Sequence, residues 1–349
     1  MSESNECLII CSPKTKLLMC WHRGGRRCAH QKITTRRHFM IEIRHVGAAL
    51  VLSAACTMAN AGWSSLVVIG DSLSDNGNVS ALTGGALPPP PYVGGRFSNG
   101  PVAAEYMAAS LGIGLQDFAH GGAKTGVDLV GNDSYLWSLG LNGTGMGAQV
   151  GMFAASLGGA AADANALYMV WGGPNDFFEP TMTPAMSAAN IGSVISGLYG
   201  LGARSFFVPN MPDLGRTPEF LGTALAGTMT GATLAFNALL DAEVMSLGLA
   251  LPDASFIQFD TFNFFSEVLA RPGDFGMTNV TGACIDSLAC LTSPTEQMTT
   301  LFWDGVHPTT TAHGLLGLAF VRSVPEPSTA WLVFGVLGML GWVRGRRNA

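Results

Sequence analysis

Charge is scarce in this 349-residue chain, at 12% of residues, and positive charge is scarcer still in its long middle section. Residues 62–323 contain one lysine, Lys124, and five arginines (Arg96, Arg204, Arg216, Arg271 and Arg322) against twenty acids, a net charge of −14. Nucleic-acid binding draws on clustered cations that neutralise phosphates, so this body excludes that partner. Cysteine is absent from the same section apart from Cys284 and Cys290. No H-E-x-x-H pair and no dinucleotide-type glycine fingerprint occurs, and "GGAKT" (121–125) lacks the glycine that a phosphate loop places directly before its lysine. No metal and no cofactor is therefore expected. No internal repeat and no long linker divides the section, so one domain over 62–323 is the simplest organisation. What is plentiful is apolar side chain, 48% of residues, with 45 glycines. That composition suits a compact, well-buried domain and not a disordered chain.

The two ends differ from the body. From Met40 the chain reads "MIEIRHVGAALVLSAACTMANAGW": a basic Arg44, an apolar run from Val46 to Cys56, then Ala59-Asn60-Ala61. This is the layout of a signal peptide over 40–61 with cleavage after Ala61, the competing reading being a buried helix. Residues 1–39, basic and rich in cysteine, precede that leader without periodicity and are expected to be a non-native upstream extension, with Met40 the true start. A small metal site from Cys7, Cys11, Cys20, His22, Cys28 and His30 is the rival, but the spacings do not match zinc-binding pairs. At the other end (324–349), Pro325-Glu326-Pro327 precedes an apolar run from Ala330 to Val343 and then Arg344, Arg346 and Arg347. This tail resembles the PEP-CTERM sorting signal, which implies a membrane helix, a cytoplasmic basic end and cleavage by a sorting peptidase after passage through export machinery. A plain membrane anchor is the alternative. Either way the body is expected outside the cytoplasm, at the surface of a Gram-negative-type bacterium or released from it, and as a monomer. In that oxidising setting Cys284 and Cys290 are expected to pair as a loop-bracing disulfide, the alternative being two free thiols.

Within the body, short β-branched and aromatic runs alternate with helical patterns. Strands are expected at 65–69, 115–118, 166–171, 205–208 and 255–259, and helices near 101–111, 185–201, 217–247 and 311–321. Residues 88–91 and 143–147 read as loops. Strand–helix alternation implies βαβ units around a parallel sheet covered on both faces. In such a sheet, chemistry gathers at the carboxyl ends of the strands. Four loops there carry notable residues: "GDSLSDNGN" with Ser72, "DFAHGGAKTG" with Gly122, "VWGGPNDFF" with Asn175, and "FWDGVHPTTTAHG" with Asp304 and His307.

Each loop alone has a plain explanation as a cap, turn or solvated histidine. Together they supply what acyl transfer needs. Ser72 is a candidate nucleophile, His307 its base, and Asp304 the group that holds the imidazole. An oxyanion needs preorganised donors, which a glycine N–H and an asparagine amide provide. The order Ser–Asp–His is that of α/β-hydrolases, although the G-x-S-x-G elbow is missing. These blocks, with "GRFSNGPVAAEYMA" from Gly95 and "VPNMPDLGRTPEF" from Val208, resemble the GDSL, or SGNH, hydrolases of the secreted lipase/esterase branch over residues 64–322. The resemblance implies a flavodoxin-like α/β/α sandwich with about five parallel strands. It assigns catalysis to Ser72, Asp304 and His307, and the oxyanion hole to the Ser72 N–H, Gly122 and Asn175. It also implies hydrolysis of a carboxyl ester, from a lipid, an acylated small molecule or an acetylated polysaccharide. A non-catalytic surface binding protein is the remaining alternative. His120 departs from the small or aliphatic residue usual before the paired glycines, and His313 is expected to cap or decorate the last helix.

Overall fold

The structure, a computed structural model, describes residues 62–126, 134–178 and 182–325. The upstream extension, the signal peptide and all but the first two residues of the proposed tail lie outside them.

Five strands build the central sheet: β1 (Ser65–Gly70), β2 (Gly114–Asp117), β3 (Leu167–Trp171), β4 (Ser205–Pro209) and β5 (Ser255–Phe259). They lie in the order β2-β1-β3-β4-β5, every neighbouring pair parallel. The three central strands β1, β3 and β4 are apolar runs rather than alternating patterns because both faces are covered: Leu66, Val67, Val68 and Ile69 are all buried, whereas the edge strands β2 and β5 are partly exposed. Val67, Ile69, Tyr168 and Val170 point to one side, where helices α2 (Met146–Ser156), α3 (Pro184–Leu201) and α4 (Ala226–Ala250) pack. Leu66, Val68, Leu167 and Met169 point to the other, against α1 (Ala103–Leu111), α5 (Thr261–Ala270) and α6 (Thr310–Ser323). The result is the expected three-layer α/β/α sandwich. β1 leads outward to β2, whereas β3 returns to its opposite side, so the connections diverge between β1 and β3. A crevice opens at such a point.

Helix starts follow local chemistry. Thr183 accepts from the Met186 N–H ahead of Pro184 in α3, Asp260 from the Asn263 N–H in α5, and Thr309 from the Ala312 N–H in α6. Two sequence expectations are corrected. The 143–147 stretch is not all loop, because α2 begins at Met146. The expected helix over 217–247 starts only at Ala226, since Asp213 caps a 3₁₀ turn at Leu214–Arg216 and turns fill the gap. A second, two-stranded parallel sheet, β6 (Asn279–Ala283) with β7 (Thr300–Phe302), was not anticipated. It matters because β7 runs directly into the loop that carries Asp304 and His307. Among the described residues, α4 alone is long and apolar enough to cross a membrane by length and composition. Its Phe236, Leu240, Val244 and Leu247 nevertheless pack into the core.

Candidate active site

The serine loop is built by its carboxylates. Gly70 ends β1 where a Cβ would lie 2.6 Å from the Trp171 carbonyl oxygen, so only glycine fits. The buried Gln149 of α2 clamps this strand end: its Oε1 accepts from the Gly70 N–H (2.9 Å), and its Nε2 donates to the carbonyls of Gly70 and Thr144, both at 2.8 Å. Losing it would leave buried backbone groups unpaired, at about 1–3 kcal/mol each. The Asp71 carbonyl then accepts from Ser74 and Asp75, and Asp71 Oδ1 from the Leu73 N–H (2.9 Å), so Ser72 rides on a tight turn. Asp75 ties this loop to the next one. Its Oδ1 accepts from Gly77 (2.8 Å) and Asn78 (2.6 Å), and its Oδ2 from the Gly121 N–H (2.8 Å), one residue before Gly122. Asn78 adds donations to the Asp117 and Ala119 carbonyls.

Gly122 has φ +78°, a conformation that favours glycine. Asn175 follows β3, and its amide donates to the Ala123 carbonyl at 3.0 Å. Next to it the buried Asp176 accepts from the Thr125 N–H and hydroxyl, at 3.0 and 2.6 Å. The second and third loops are thereby held together beside the first. Ser72 and Asn175, which follow β1 and β3, line one cleft at the crevice between those strands.

The fourth loop is a stapled turn: the Trp303 N–H donates to the His307 carbonyl (2.7 Å), and Thr309 donates back to Leu301 (2.9 Å). Asp304 Oδ1 accepts from the Val306 and His307 N–H groups at 2.9 and 2.7 Å. Its Oδ2 lies 2.6 Å from His307 Nδ1, and His307 Nε2 lies 2.7 Å from Ser72 Oγ. Three residues spread over 235 positions thus form one hydrogen-bonded line. Burial opposes ionisation of Asp304, but the facing His307 and the hydrogen bonds it receives outweigh burial and hold its carboxyl down at about 2. Burial likewise opposes protonation of His307, yet the Asp304 carboxylate, supported by Asp71, raises its pKa above the ordinary imidazole value.

The neighbours explain further sequence. Phe97, in the "GRFSNGP" block, lies over the His307 ring with centroids 5.4 Å apart. A Cβ on Gly121 would stand 2.0 Å from Phe97, so the first glycine of that pair makes room for the aromatic ring. Ser98 donates to the Pro308 carbonyl (2.9 Å), and Asn99 accepts from the Thr310 N–H (2.8 Å), which joins this block to the histidine loop. Cys284 and Cys290 form a disulfide in a buried cluster with Trp303, the residue before Asp304. His313 does not decorate the surface. It is buried, and its Nδ1 accepts from the Ala103 N–H at the start of α1 (3.2 Å). Burial, then the nearby His307, pushes its pKa down to about 3, which keeps it neutral and able to accept. His120 is also buried, with Nδ1 2.8 Å from the Phe118 carbonyl. Among the described residues no group of three or more His, Cys, Asp or Glu side chains could hold a metal ion.

Gln149, Asp75 and Tyr92, whose hydroxyl reaches Asp304 (2.6 Å), are the site residues that sequence reasoning missed. The signal for Asp75 was within view, since it lies in the same quoted block as Ser72. Gln149 sits in the helix that was itself read partly as loop.

The chain resembles known proteins over most of its described body. The family model described as GDSL-like Lipase/Acylhydrolase matches residues 66–320. The thermolabile hemolysin of Vibrio parahaemolyticus is 28% identical over 268 residues, covering 71% of this chain and 60% of that protein. Esterase EstA of Pseudomonas aeruginosa is 28% identical, covering 76% of this chain and 47% of its own length. The phosphatidylcholine-sterol acyltransferase of Aeromonas hydrophila is 24% identical, covering 76% and 92%. The chain therefore spans about half to three-fifths of the length of the first two. Among solved structures, a catalytic mutant of an acetylxylan esterase from Geobacillus stearothermophilus is 16% identical with a TM-score of 0.42, covering 76% of this chain and 96% of that one. The family match extends over nearly all of the described body and includes every loop of the cleft, and on it the chain belongs to the GDSL-like lipase/acylhydrolase family of ester hydrolases.

Proposed function

We propose that the cleft hydrolyses carboxyl esters through a covalent acyl-enzyme on Ser72. One observation carries the reading: the line from Asp304 Oδ2 through His307 to Ser72 Oγ, with links of 2.6 and 2.7 Å. Ser72 Oγ attacks the ester carbonyl carbon while His307 Nε2 takes its proton, and Asp304 fixes the tautomer by accepting from Nδ1–H. The carbonyl oxygen becomes an oxyanion held by the Ser72 and Gly122 N–H groups and by Asn175. The Asn175 amide has two N–H donors, of which Ala123 occupies one, so one is left for the oxyanion. His307 then protonates the departing alcohol oxygen as the C–O bond breaks. Water, deprotonated by the same nitrogen, attacks the acyl carbon, releases the carboxylic acid and restores Ser72.

An acyl chain longer than acetyl is favoured. The cleft at Ser72 adjoins a second one, and the two share Leu73, Pro212, Thr217 and Val306. Phe265, Leu269 and Phe302 add an apolar wall there. A polysaccharide O-acetyl esterase would have no use for that wall. The export reading for 40–61 and 324–349 is part of the proposal, and the disulfide, typical of oxidising compartments, supports it.

The test is a rate series on p-nitrophenyl esters of increasing chain length, with an acetylated polysaccharide alongside, for wild type and Ser72→Ala. Loss on the order of 10⁶ in kcat is expected for the variant. Equal rates would end the mechanism, and activity on the polysaccharide alone would move the substrate to acetyl groups. Asn175→Ala is expected to lose about 10²–10³ in kcat with KM little changed, because the oxyanion exists only near the transition state.

A further inference from the structure

Asp304 receives one hydrogen bond that the proposed reaction does not use. Its two oxygens offer about four acceptor sites. Val306 N–H and His307 N–H fill those of Oδ1, and His307 Nδ1 takes one on Oδ2. The fourth donor is the Tyr92 hydroxyl, 2.6 Å from the same Oδ2 and 212 residues away in sequence. Tyr92 is brought there by the loop after Pro88–Pro91. Its N–H donates to the Pro89 carbonyl (3.2 Å), and the Val93 N–H to that of Ser98 (3.0 Å). Its ring is edge-on to Phe97 (6.2 Å) and to Trp303 (6.5 Å), the residues that flank His307 and Asp304. Asp304 is only 6% exposed, so water is a poor substitute for a lost donor.

We propose that Tyr92 is a positioning residue for ester hydrolysis: by donating to the Asp304 oxygen that faces His307, its hydroxyl fixes the rotation of the carboxylate and limits the negative charge His307 experiences. The proposal rests on the Ser72–His307–Asp304 reading. The direction of the bond is unambiguous. Asp304 remains a carboxylate down to about pH 2, while burial, then the charges of Asp304 and Asp286, push the Tyr92 hydroxyl above its usual pKa. Tyr92 therefore donates throughout the working range. Two donors share one oxygen, and each weakens the other's hold on its charge. Without the hydroxyl, Asp304 would stabilise the imidazolium more strongly, and His307 would stay protonated, hence useless as a base, to higher pH. The other groups near His307 set the background. Asp71 also raises its basicity, and His313 is neutral. Ring packing alone would be served equally by phenylalanine, which separates the two roles.

The experiment uses the full chain with Tyr92→Phe, which keeps the ring contacts. The acid limb of kcat/KM against pH is expected to move up by about half a unit to one unit, with kcat on the plateau down by roughly three- to tenfold and KM within about twofold. 3-Fluorotyrosine placed at position 92, whose more acidic hydroxyl is a stronger donor, is expected to move the limb the opposite way without altering the fold. NMR titration of the His307 ring, identified by its loss in His307→Asn, should follow the same shifts. In an Asp304→Asn background, Tyr92→Phe should add no further shift to that titration. An acid limb that stays in place or moves down in Tyr92→Phe, or a shift that persists in Asp304→Asn, would overturn the role. Ser72→Ala separates the two failures: if it stays active the triad reading fails, and if it is inactive while the Tyr92→Phe limb is unmoved, only Tyr92 is displaced.

Discussion

Two buried aspartates act on His307, and their pKa values are shifted in opposite directions. Asp304, on the loop after β7, takes four donors on its two oxygens, and its carboxyl is held at about 2. Asp71, on the loop after β1, takes one side-chain hydrogen bond, from the Leu73 N–H, and its Oδ2 is buried with no partner. Burial pushes its pKa up to about 7, against the pull of Leu73 and His307. Both are nearly inaccessible, at 6% and 1% exposed, so burial does not distinguish them. The facing charge of His307 and the number of donors do. A fully satisfied carboxylate can fix the tautomer of a base at any working pH, whereas a poorly satisfied one changes charge near neutrality and cannot.

Breaking the satisfied side should have the larger effect. Asp304→Asn is expected to lower kcat by about 10⁴, because an amide donating toward Nδ1 forces the wrong tautomer. A single-turnover assay checks this, and a loss below about tenfold would mean Asp304 does not orient the base. The wild-type pH profile comes next. His307 carries a raised pKa, so kcat/KM should fall tenfold per pH unit below a midpoint above about 6.5, since the protonated ring cannot accept from Ser72. A midpoint well below 6 would contradict the paired geometry.

Breaking the unsatisfied side should be milder. Asp71→Asn keeps the acceptor for Leu73 and removes the charge, so the rate should change by less than about tenfold, with the acid limb moving down as one anion near His307 is lost. The last effect is on stability, and its sign follows from the directions of the two shifts. Asp71 is raised in the fold, so its contribution is complete below about pH 4 and is lost as pH rises through about 7. Asp304 is lowered, so its contribution is present above about pH 4 and is lost as pH falls through about 2. Chemical denaturation across pH should show wild type losing on the order of a few kcal/mol between about pH 4 and pH 7 from Asp71, a slope that Asp71→Asn flattens. An unchanged slope in the variant would show that Asp71 does not titrate there.

Much of the architecture was legible from local pattern. All five strands of the main sheet lie within about a residue of their expected ends; the central three are buried on both faces and so are continuous apolar runs between turn residues. The helix over 185–201 was equally plain, with Thr183 and Pro184 marking its start. Helix α2 was harder. "MGAQVGMFAAS" has two glycines, which disfavour helix, and a glutamine that faces inward to clamp β1, so neither propensity nor periodicity marks it clearly. The small β6–β7 sheet was hidden for a different reason: β6 reads "NVTGA", with the asparagine and glycine that mark turns, and the three residues of β7 are too few to establish a period.

At the site the division follows distance along the chain. Asp304 and His307 lie three residues apart, so residue types and spacing were enough to suggest that one turn presents both. The motif blocks, each confined to a single loop after a strand, could likewise be read one at a time. Contacts between loops could not. That Gln149 holds Gly70 across 79 residues, that His313 caps α1 from 210 residues away, and that Tyr92 meets Asp304 across 212 depends on where the chain returns after each crossover. Sequence by itself determined the strands, the capped helices and the chemical types available, because short-range sterics and hydrogen bonding act within a few residues. Only the tertiary structure decided which carboxylate is fully satisfied and which is left to titrate, because donor number in a buried site is a property of the elements packed around it.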